Sequence, residues 1–441
     1  MNLFASVCFA LALLHTLCAP LLARWLATRG LPPSPSQSPS HPPSRHAGLW
    51  HLLCEVEAVF MLWALVFMLG LWASIGQDAT LAQLRQRSFT EPLFVLVTMI
   101  VSASRPVLHT VTLGVEALVK VLPGDRRMAL LWVVLTVVPL LGSVITEPAA
   151  MTLAALLLGQ QALAERVSAR FLYATLAVLF VNVSIGGTLT PYAAPPVLMV
   201  AQSWQWDLGF MLQEFGWRSA LAVVINASVL TWLHRHEFHP HALHLHEWPP
   251  GAPPPAPEPE RDRPPLPLWS ALIHVGLLAV VIAHSHEGLV FVGVFMVFLG
   301  LVKAYPEHHD RLIAPEAMMV AGFLAGLVVL GGSQAWWLQP LVAQLSDTTV
   351  FWGALVLTAG VDNAALTYLG STLTGLSESF KLALVSGAVA GGGLTVIANA
   401  PNPTGFALLK SRFPDQSLNP LRLFMAACWP TAVAAALLSW R

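Results

Sequence analysis

Thr146-Glu147-Pro148-Ala149-Ala150-Met151-Thr152 and Val361-Asp362-Asn363-Ala364-Ala365-Leu366-Thr367 each cut a long hydrophobic run, one in either half of the chain. A second break follows each: Gly186-Gly187-Thr188-Leu189-Thr190 in the first half, Gly391-Gly392-Gly393-Leu394-Thr395 in the second. Glu147, Ala149, Ala150 and Thr152 meet Asp362, Ala364, Ala365 and Thr367 at a constant offset of 215. Gly186, Gly187, Leu189 and Thr190 meet Gly391, Gly392, Leu394 and Thr395 at 205, as Pro196 meets Pro401. The offset changes by ten because the loop between the breaks differs in length. Matching interruptions of apolar segments in two halves point to the central binding site of a secondary transporter.

Composition sets the solvent. The chain has 441 residues, of which 56% are hydrophobic and only 10% charged, against about 25% charged in a soluble domain. Mean hydropathy is +0.67. Apolar runs long enough for a helix to cross a bilayer, about 20 residues, recur throughout. Hydrocarbon cannot satisfy backbone N–H and C=O groups, so continuous runs of this kind span as helices. The expected spans lie near 3–23, 49–75, 91–120, 128–159, 169–200, 217–233, 268–284, 287–304, 314–334, 349–375, 380–409 and 421–440. Those at 91–120, 128–159, 169–200, 349–375 and 380–409 are interrupted, which reads as broken helices or re-entrant hairpins. The fold class is therefore all-α and polytopic, with about 11–12 spans.

The N-terminal run from Leu3 to Leu22 lacks a basic leader and reads as a first membrane helix, residues 1–24. A Pro/Ser-rich linker, 25–47, precedes repeat one at 48–233. A His- and Pro-rich linker, 234–267, precedes repeat two at 268–441. The net charge of −1 favours neither nucleic acid nor an acidic partner. Cys8, Cys18, Cys54 and Cys428 have no C-x-x-C spacing and read as small apolar residues. Sidedness is split: Arg24, Arg29 and Arg45 favour a cytoplasmic first linker, whereas Arg85, Arg87, Arg126 and Arg127 weigh against it.

Glu147 and Asp362 are the first candidates for chemistry, because an intramembrane carboxyl is costly and functional by default. An apolar setting favours the protonated carboxyl and a bound cation the charged one, so one group can alternate between the two. The bland alternative is a helix end in the headgroup region, with Pro148 marking a helix start. Hard cations take oxygen from carboxylates, hydroxyls, amides and freed backbone carbonyls. Thr146, Thr152, Asn363 and Thr367 flank the first breaks, and Asn182, Ser184, Thr188, Thr190, Thr395, Asn399 and Asn402 the second. Gly186, Gly187, Gly392 and Gly393 would let backbone approach an ion, or would serve close helix packing instead.

Asp362-Asn363 within an apolar helix, then a Gly-Gly-x-Leu-Thr hairpin ending in Ala400-Pro401-Asn402-Pro403, resembles the ion transporter superfamily. That group includes sodium/proton antiporters, arsenite pumps and citrate or dicarboxylate carriers. Within it the chain looks most like a bacterial Na⁺/H⁺ antiporter family, over roughly 90–233 and 268–440. The resemblance implies two inverted-topology repeats, each with a re-entrant hairpin and a broken helix. It implies that Asp362 and Asn363 bind or gate the cation and that Ile185–Pro191 forms the first hairpin tip. It also allows a homodimer in a bacterial inner membrane. Repeat one departs from the pattern, with Glu147-Pro148 where related antiporters carry Asp-Asn, so Asp362 is expected to hold the essential proton. The Ser-Asn-Thr hairpin tips of dicarboxylate carriers are absent, and two carboxylates would repel a dianion. An anion or dicarboxylate symporter, or a metalloid exporter, is the alternative.

The expected function is exchange of Na⁺ or Li⁺ for H⁺, with no enzymatic step, no cofactor beyond the transported ions, and small cations and lipid as partners. His234, His236, His239, His241, His244 and His246 are candidates for Zn²⁺ or Ni²⁺ binding or pH sensing. A solvated linker of biased composition is the favoured explanation, since no fixed ligand spacing appears. Glu55, Glu57 and Glu316 have ordinary helix-start explanations. Arg105-Pro106 breaks the third span, and Arg105 reads as an interfacial anchor or a partner for a site carboxylate.

Overall fold

The structure is a computed structural model that describes residues 1–28, 47–163, 167–238, 265–413 and 416–440. Every regular element among the described residues is helical. Six helices are long and apolar enough to cross a membrane, and a seventh span arises if Thr90–Ser102 and Arg105–Val121, bent by 64°, count as one. Leu268–Ala283 and Gly288–Ala304 are shorter apolar helices. Trp217–Leu233 is a single helix of 17 residues, and the expected spans at 349–375 and 380–409 contain the Gly, Pro and Asn breaks and fold as two or more short helices. The protein is an all-α polytopic membrane protein.

The order of elements repeats. In the first half, Arg126–Ile145 breaks at Thr146 into Glu147–Leu157, and Ala169–Gly186 runs through a 3₁₀ turn and a loop into Pro195–Trp204. In the second, Asp347–Thr358 breaks before Asn363–Ser371, and Glu378–Gly391 runs through Val396–Ala398 into Asn402–Leu409. Trp217–Leu233 and Pro420–Ser439 close the two series.

Packing divides the chain into two compact units that cut across this repeat. The first comprises Met1–Leu96, Ala314–Leu345 and Tyr368–Gly375. In it, Val56–Ile75 crosses Ala314–Gly331 closely because Gly326 faces backbone: a Cβ there would lie 2.5 Å from the Phe60 carbonyl. Phe60 meets Phe9 and Phe323 edge-on at 5.7 and 5.2 Å between ring centres. Beyond the end of Ala314–Gly331, Arg87 donates to the Gly332 carbonyl (2.6 Å) and to Ser333 Oγ (2.9 Å), placing a cation where the helix leaves its carbonyls bare.

The second unit, Val97–Ile313, Ser346–Thr367 and Leu376–Arg441, contains both acidic breaks and both hairpins. Its centre is the span Ala169–Leu189, 94% buried. Pro139 inside Arg126–Ile145 has no N–H, which frees the carbonyl of Leu135. Asn182 of the central helix donates to that carbonyl at 2.8 Å and to the Val223 carbonyl at 3.2 Å, and accepts from Asn226 at 2.9 Å. A polar residue in an apolar helix thus replaces the hydrogen bond that a proline removed.

Candidate functional site

The first break turns on Thr146, which has φ +79°. A β-branched residue there is strained by about 1–3 kcal/mol, and such strain concentrates at functional sites. The turn starts a new helix at Glu147, with Pro148 behind it at a position that needs no N–H. The Glu147 side chain is fully buried. Its Oε2 accepts from Asn399 Nδ2 at 2.9 Å, so a carboxyl of the first repeat is held by an amide of the second hairpin. Its Oε1 is buried and accepts no hydrogen bond.

Gly187 packs against that carboxyl. A Cβ at Gly187 would lie 2.6 Å from Glu147 Cγ and 2.7 Å from Oε1. Gly186 faces the Pro139 carbonyl in the same manner, at 2.6 Å. Ser143 fixes the hairpin by donating to the Gly186 carbonyl (2.7 Å) and accepting from Leu189 N–H (2.9 Å). Thr190 donates back to the Ser143 carbonyl at 2.7 Å. Thr146 Oγ1 lies 3.4 Å from Ser102 Oγ, at the bend between Thr90–Ser102 and Arg105–Val121.

The second break is built differently. Asp362 is partly exposed, and its Oδ1 accepts from Ala364 N–H at 2.8 Å, as a helix cap. Asn363 is buried; its Nδ2 lies 3.4 Å from Ser184 Oγ, and its Oδ1 has no donor. Ser184 donates to the Val389 carbonyl at 2.8 Å, which joins the two hairpin-bearing helices. Gly392 lies against Ser184 Oγ and Asn363, and Gly393 against the Val181 backbone. Thr395 donates to the Ala359 carbonyl at 2.8 Å, anchoring this hairpin as Thr190 anchors the first. Asn402 Nδ2 donates to the carbonyls of Gly392 (2.8 Å) and Thr395 (2.9 Å).

The expected residues therefore sort into three groups. Glu147, Asn363, Asn399 and Asn402 each present one buried oxygen with no hydrogen-bond donor: Oε1 and three amide Oδ1 atoms. Thr190, Thr395 and the glycines shape and anchor the hairpins. Asn182 and Thr188 spend their donors on packing, Thr188 on the Ile185 carbonyl at 2.7 Å. Asp362 bears electrostatically on the Glu147 carboxyl, and Glu147 is the more deeply buried of the two. Sequence reading missed Ser143 and Asn226, single polar residues in apolar runs, and Ser102, which stands just before the Ser104-Arg105-Pro106 break.

His234 lies beside Phe171, 5.1 Å between ring centres, and His236 is in the turn that follows. His239, His241, His244 and His246 lie outside the described residues. Glu237, next to His236, accepts from the Ser168 backbone N–H at 3.1 Å and from the Ser168 hydroxyl at the start of the central helix.

The family described as "Putative Na+/H+ antiporter" matches residues 1–440, and the chain belongs to it. No curated protein matches. Among solved structures, the Alcanivorax borkumensis YdaH transporter is similar at 14% identity, with a TM-score of 0.42 over 87% of this chain and 96% of that one.

Proposed function

We propose that this member of the Na⁺/H⁺ antiporter family carries its ions on Glu147, with Asn363, Asn399 and Asn402 as the neutral oxygen ligands. The observation that carries the reading is the set of four buried oxygens without donors, one from a carboxyl and three from amides. Bare acceptor oxygens suit a hard cation such as Na⁺ or Li⁺. A carboxylate or other anion would need N–H or O–H donors instead, so the symporter alternative is disfavoured. A proton on Glu147 and a cation beside it are mutually exclusive, because each neutralises the same buried charge. That exclusion is the chemical core of antiport. Asp362 is the second carboxyl; it lies at the mouth of the break and raises the cost of leaving both groups ionised.

Alternating access would follow from movement of the hairpins against the helices they are pinned to, in two inverted repeats within a bacterial inner membrane. Glu147 and Asn399 belong to different repeats, so loading changes a bond that links them.

Everted membrane vesicles with an acidified lumen test this. Added Na⁺ or Li⁺ should release luminal protons, read as dye dequenching. Glu147→Gln should abolish the response at normal expression, and Asp362→Asn should weaken or abolish it. Wild-type exchange in Glu147→Gln would overturn the assignment. No response to either cation in the unaltered protein would overturn the ion reading.

A further inference from the structure

Within the second unit the helix ends sort by charge. Trp217–Leu233 runs antiparallel to Arg126–Ile145: Trp132 Nε1 donates to Ser228 Oγ at 2.9 Å, and the Asn182 amide bridges Leu135 and Val223 further along. The central helix Ala169–Gly186 runs parallel to Arg126–Ile145, since Asn182 meets Leu135 and Gly186 meets Ser143. Its start is joined to the turn after Trp217–Leu233 by Glu237, which accepts from the Ser168 N–H at 3.1 Å. The Tyr173 hydroxyl of the same helix accepts from the Asn419 N–H at 2.9 Å, at the start of Pro420–Ser439. The Tyr173 ring also lies 5.2 Å from that of Phe413, which follows the Lys410–Arg412 turn. Four helix ends and this turn therefore share one face.

That face carries Arg126 and Arg127 at the start of their helix, Arg170 on the central one and Arg235 in the turn after Trp217–Leu233. Lys410 and Arg412 add to it from their turn, and Arg422 from the last helix. Among the described residues, these ends hold two carboxylates, and both cap helix starts. Asp125 accepts from the Arg127 and Met128 N–H groups, and Glu237 from Ser168. The far ends are different. Trp206 Nε1 donates to Glu378 at 3.5 Å and its ring lies 5.6 Å from Phe215, so Pro195–Trp204 ends where Glu378–Gly391 and Trp217–Leu233 begin. Asp347–Thr358 starts there too, parallel to Glu378–Gly391, with Gly387 on the Phe351 carbonyl and Gly391 on that of Leu355. Asp207, Glu214, Asp347 and Glu378 stand there with two cations, Arg218 and Lys381. Each cation is paired, Arg218 with Glu214 at 3.4 Å and Lys381 with Glu378.

The two faces lie at the two headgroup levels. Arg126–Ile145 has 20 residues, about 30 Å at 1.5 Å per residue, which is the thickness of the hydrocarbon layer. Trp217 (48% exposed) and Trp232 (63%) stand at opposite ends of Trp217–Leu233, as aromatic anchors do at both interfaces. The Arg235 guanidinium sits 5.4 Å over the Trp232 ring, which ties the basic face to one of these levels. Lys and Arg are retained in the short cytoplasmic loops of a membrane protein, and the leaflet there carries anionic lipid that attracts them. We propose that the basic face of the second unit docks on anionic headgroups of the cytoplasmic leaflet, which fixes the sidedness that the sequence leaves divided. The helix leading to Glu147 then starts from the cytoplasm and the helix leading to Asp362 from outside. The His- and Pro-rich linker departs from Phe238 inside the cell. This orientation follows from the membrane-spanning fold and holds whichever ion is carried.

Single cysteines read the orientation in the full-length protein with Cys8, Cys18, Cys54 and Cys428 replaced by alanine. Ser411→Cys reports the basic face and Ser203→Cys the opposite one, and both serines are exposed. A membrane-impermeant maleimide should label Ser203→Cys and spare Ser411→Cys in right-side-out vesicles, with the pattern reversed in everted ones. The opposite pattern, or label on both cysteines in both kinds of sealed vesicle, would overturn the proposal. Lipid contact has a separate readout. The protein should melt at a higher temperature in phosphatidylglycerol nanodiscs than in phosphatidylcholine ones, and Arg126→Gln, Arg235→Gln and Arg422→Gln together should lose that difference. Equal melting temperatures in the two lipids, or an undiminished difference in the triple variant, would overturn the docking. So would an equal gain from inorganic phosphate in phosphatidylcholine, which would make the face a site for free anions. Neither readout requires transport, so a protein that fails to exchange Na⁺ for H⁺ leaves both intact.

Discussion

Gly187→Ala isolates the contact on which the candidate site depends. The backbone at Gly187 has φ −73° and ψ −7°, a conformation alanine adopts freely, so the substitution carries no backbone strain. Its only effect is the methyl group, whose carbon would lie 2.6 Å from Glu147 Cγ and 2.7 Å from Oε1. Ordinary contact needs about 3.4 Å or more, so the carboxyl must retreat by about 0.7 Å. A shift of that size stretches the 2.9 Å bond from Asn399 beyond hydrogen-bonding range. Losing a hydrogen bond to an ionisable group costs about 1.5–3 kcal/mol, or roughly a 10- to 150-fold rise in half-saturating Na⁺ if the bond shapes the cation site. Gly293→Ala is the control, because nothing lies within 4 Å of a Cβ there. It sits mid-helix in Gly288–Ala304, where alanine is favoured by up to about 1 kcal/mol. In everted vesicles half-saturating Na⁺ should therefore rise for Gly187→Ala and stay unchanged for Gly293→Ala, while thermal unfolding of purified protein should show Gly293→Ala no less stable than the unaltered protein. Unchanged sodium dependence in Gly187→Ala, with normal expression, would refute the placement of Glu147 against this turn.

Two further outcomes follow from side chains outside the ion site. Asn182→Ala leaves the Leu135 carbonyl, already freed by Pro139, without a donor; thermal stability should fall by about 1–3 kcal/mol while half-saturating Na⁺ stays within a factor of about two of the unaltered value. An unchanged melting temperature would mean the amide is not needed there. Removing the tract from His239 to Pro257 should leave exchange intact, since Glu237, which holds Ser168, is retained; total loss of exchange would instead favour an essential metal site among those histidines.

The breaks and their repeat were legible because they are local: a carboxylate, a proline and a pair of glycines clustered within a few residues disfavour an apolar helix there, and equal offsets report equal order. The helix boundaries follow, with Arg126–Ile145 ending two residues before Glu147. What the chain does with the polar atoms was not legible, because it depends on partners far away in sequence. Asn399 and Glu147 are 252 positions apart, and Ser184 and Val389 are 205 apart. Neither Asn182 nor Asn399 looks different as a lone amide in an apolar run. One faces a carbonyl stripped of its donor by proline, the other a carboxyl.

The halves are therefore alike in backbone order and unlike in charge placement. At the offset of 205 the counterpart of Asn399 is Ala194, so Asp362 is offered no equivalent amide from the first hairpin. Asp362 instead caps its own helix and stays partly exposed. A symmetric backbone gives two positions where a carboxyl can interrupt a helix; the single amide decides which one is buried and bonded across the repeats. Exchanging the pair tests this. Ala194→Asn together with Asn399→Ala moves the amide that bonds the Glu147 carboxyl to the Asp362 side. If burial and amide contact define the proton carrier, exchange in that double variant should become more sensitive to Asp362→Asn than to Glu147→Gln. Continued dependence on Glu147 alone would mean that the strained turn at Thr146, not the amide, selects the carrier.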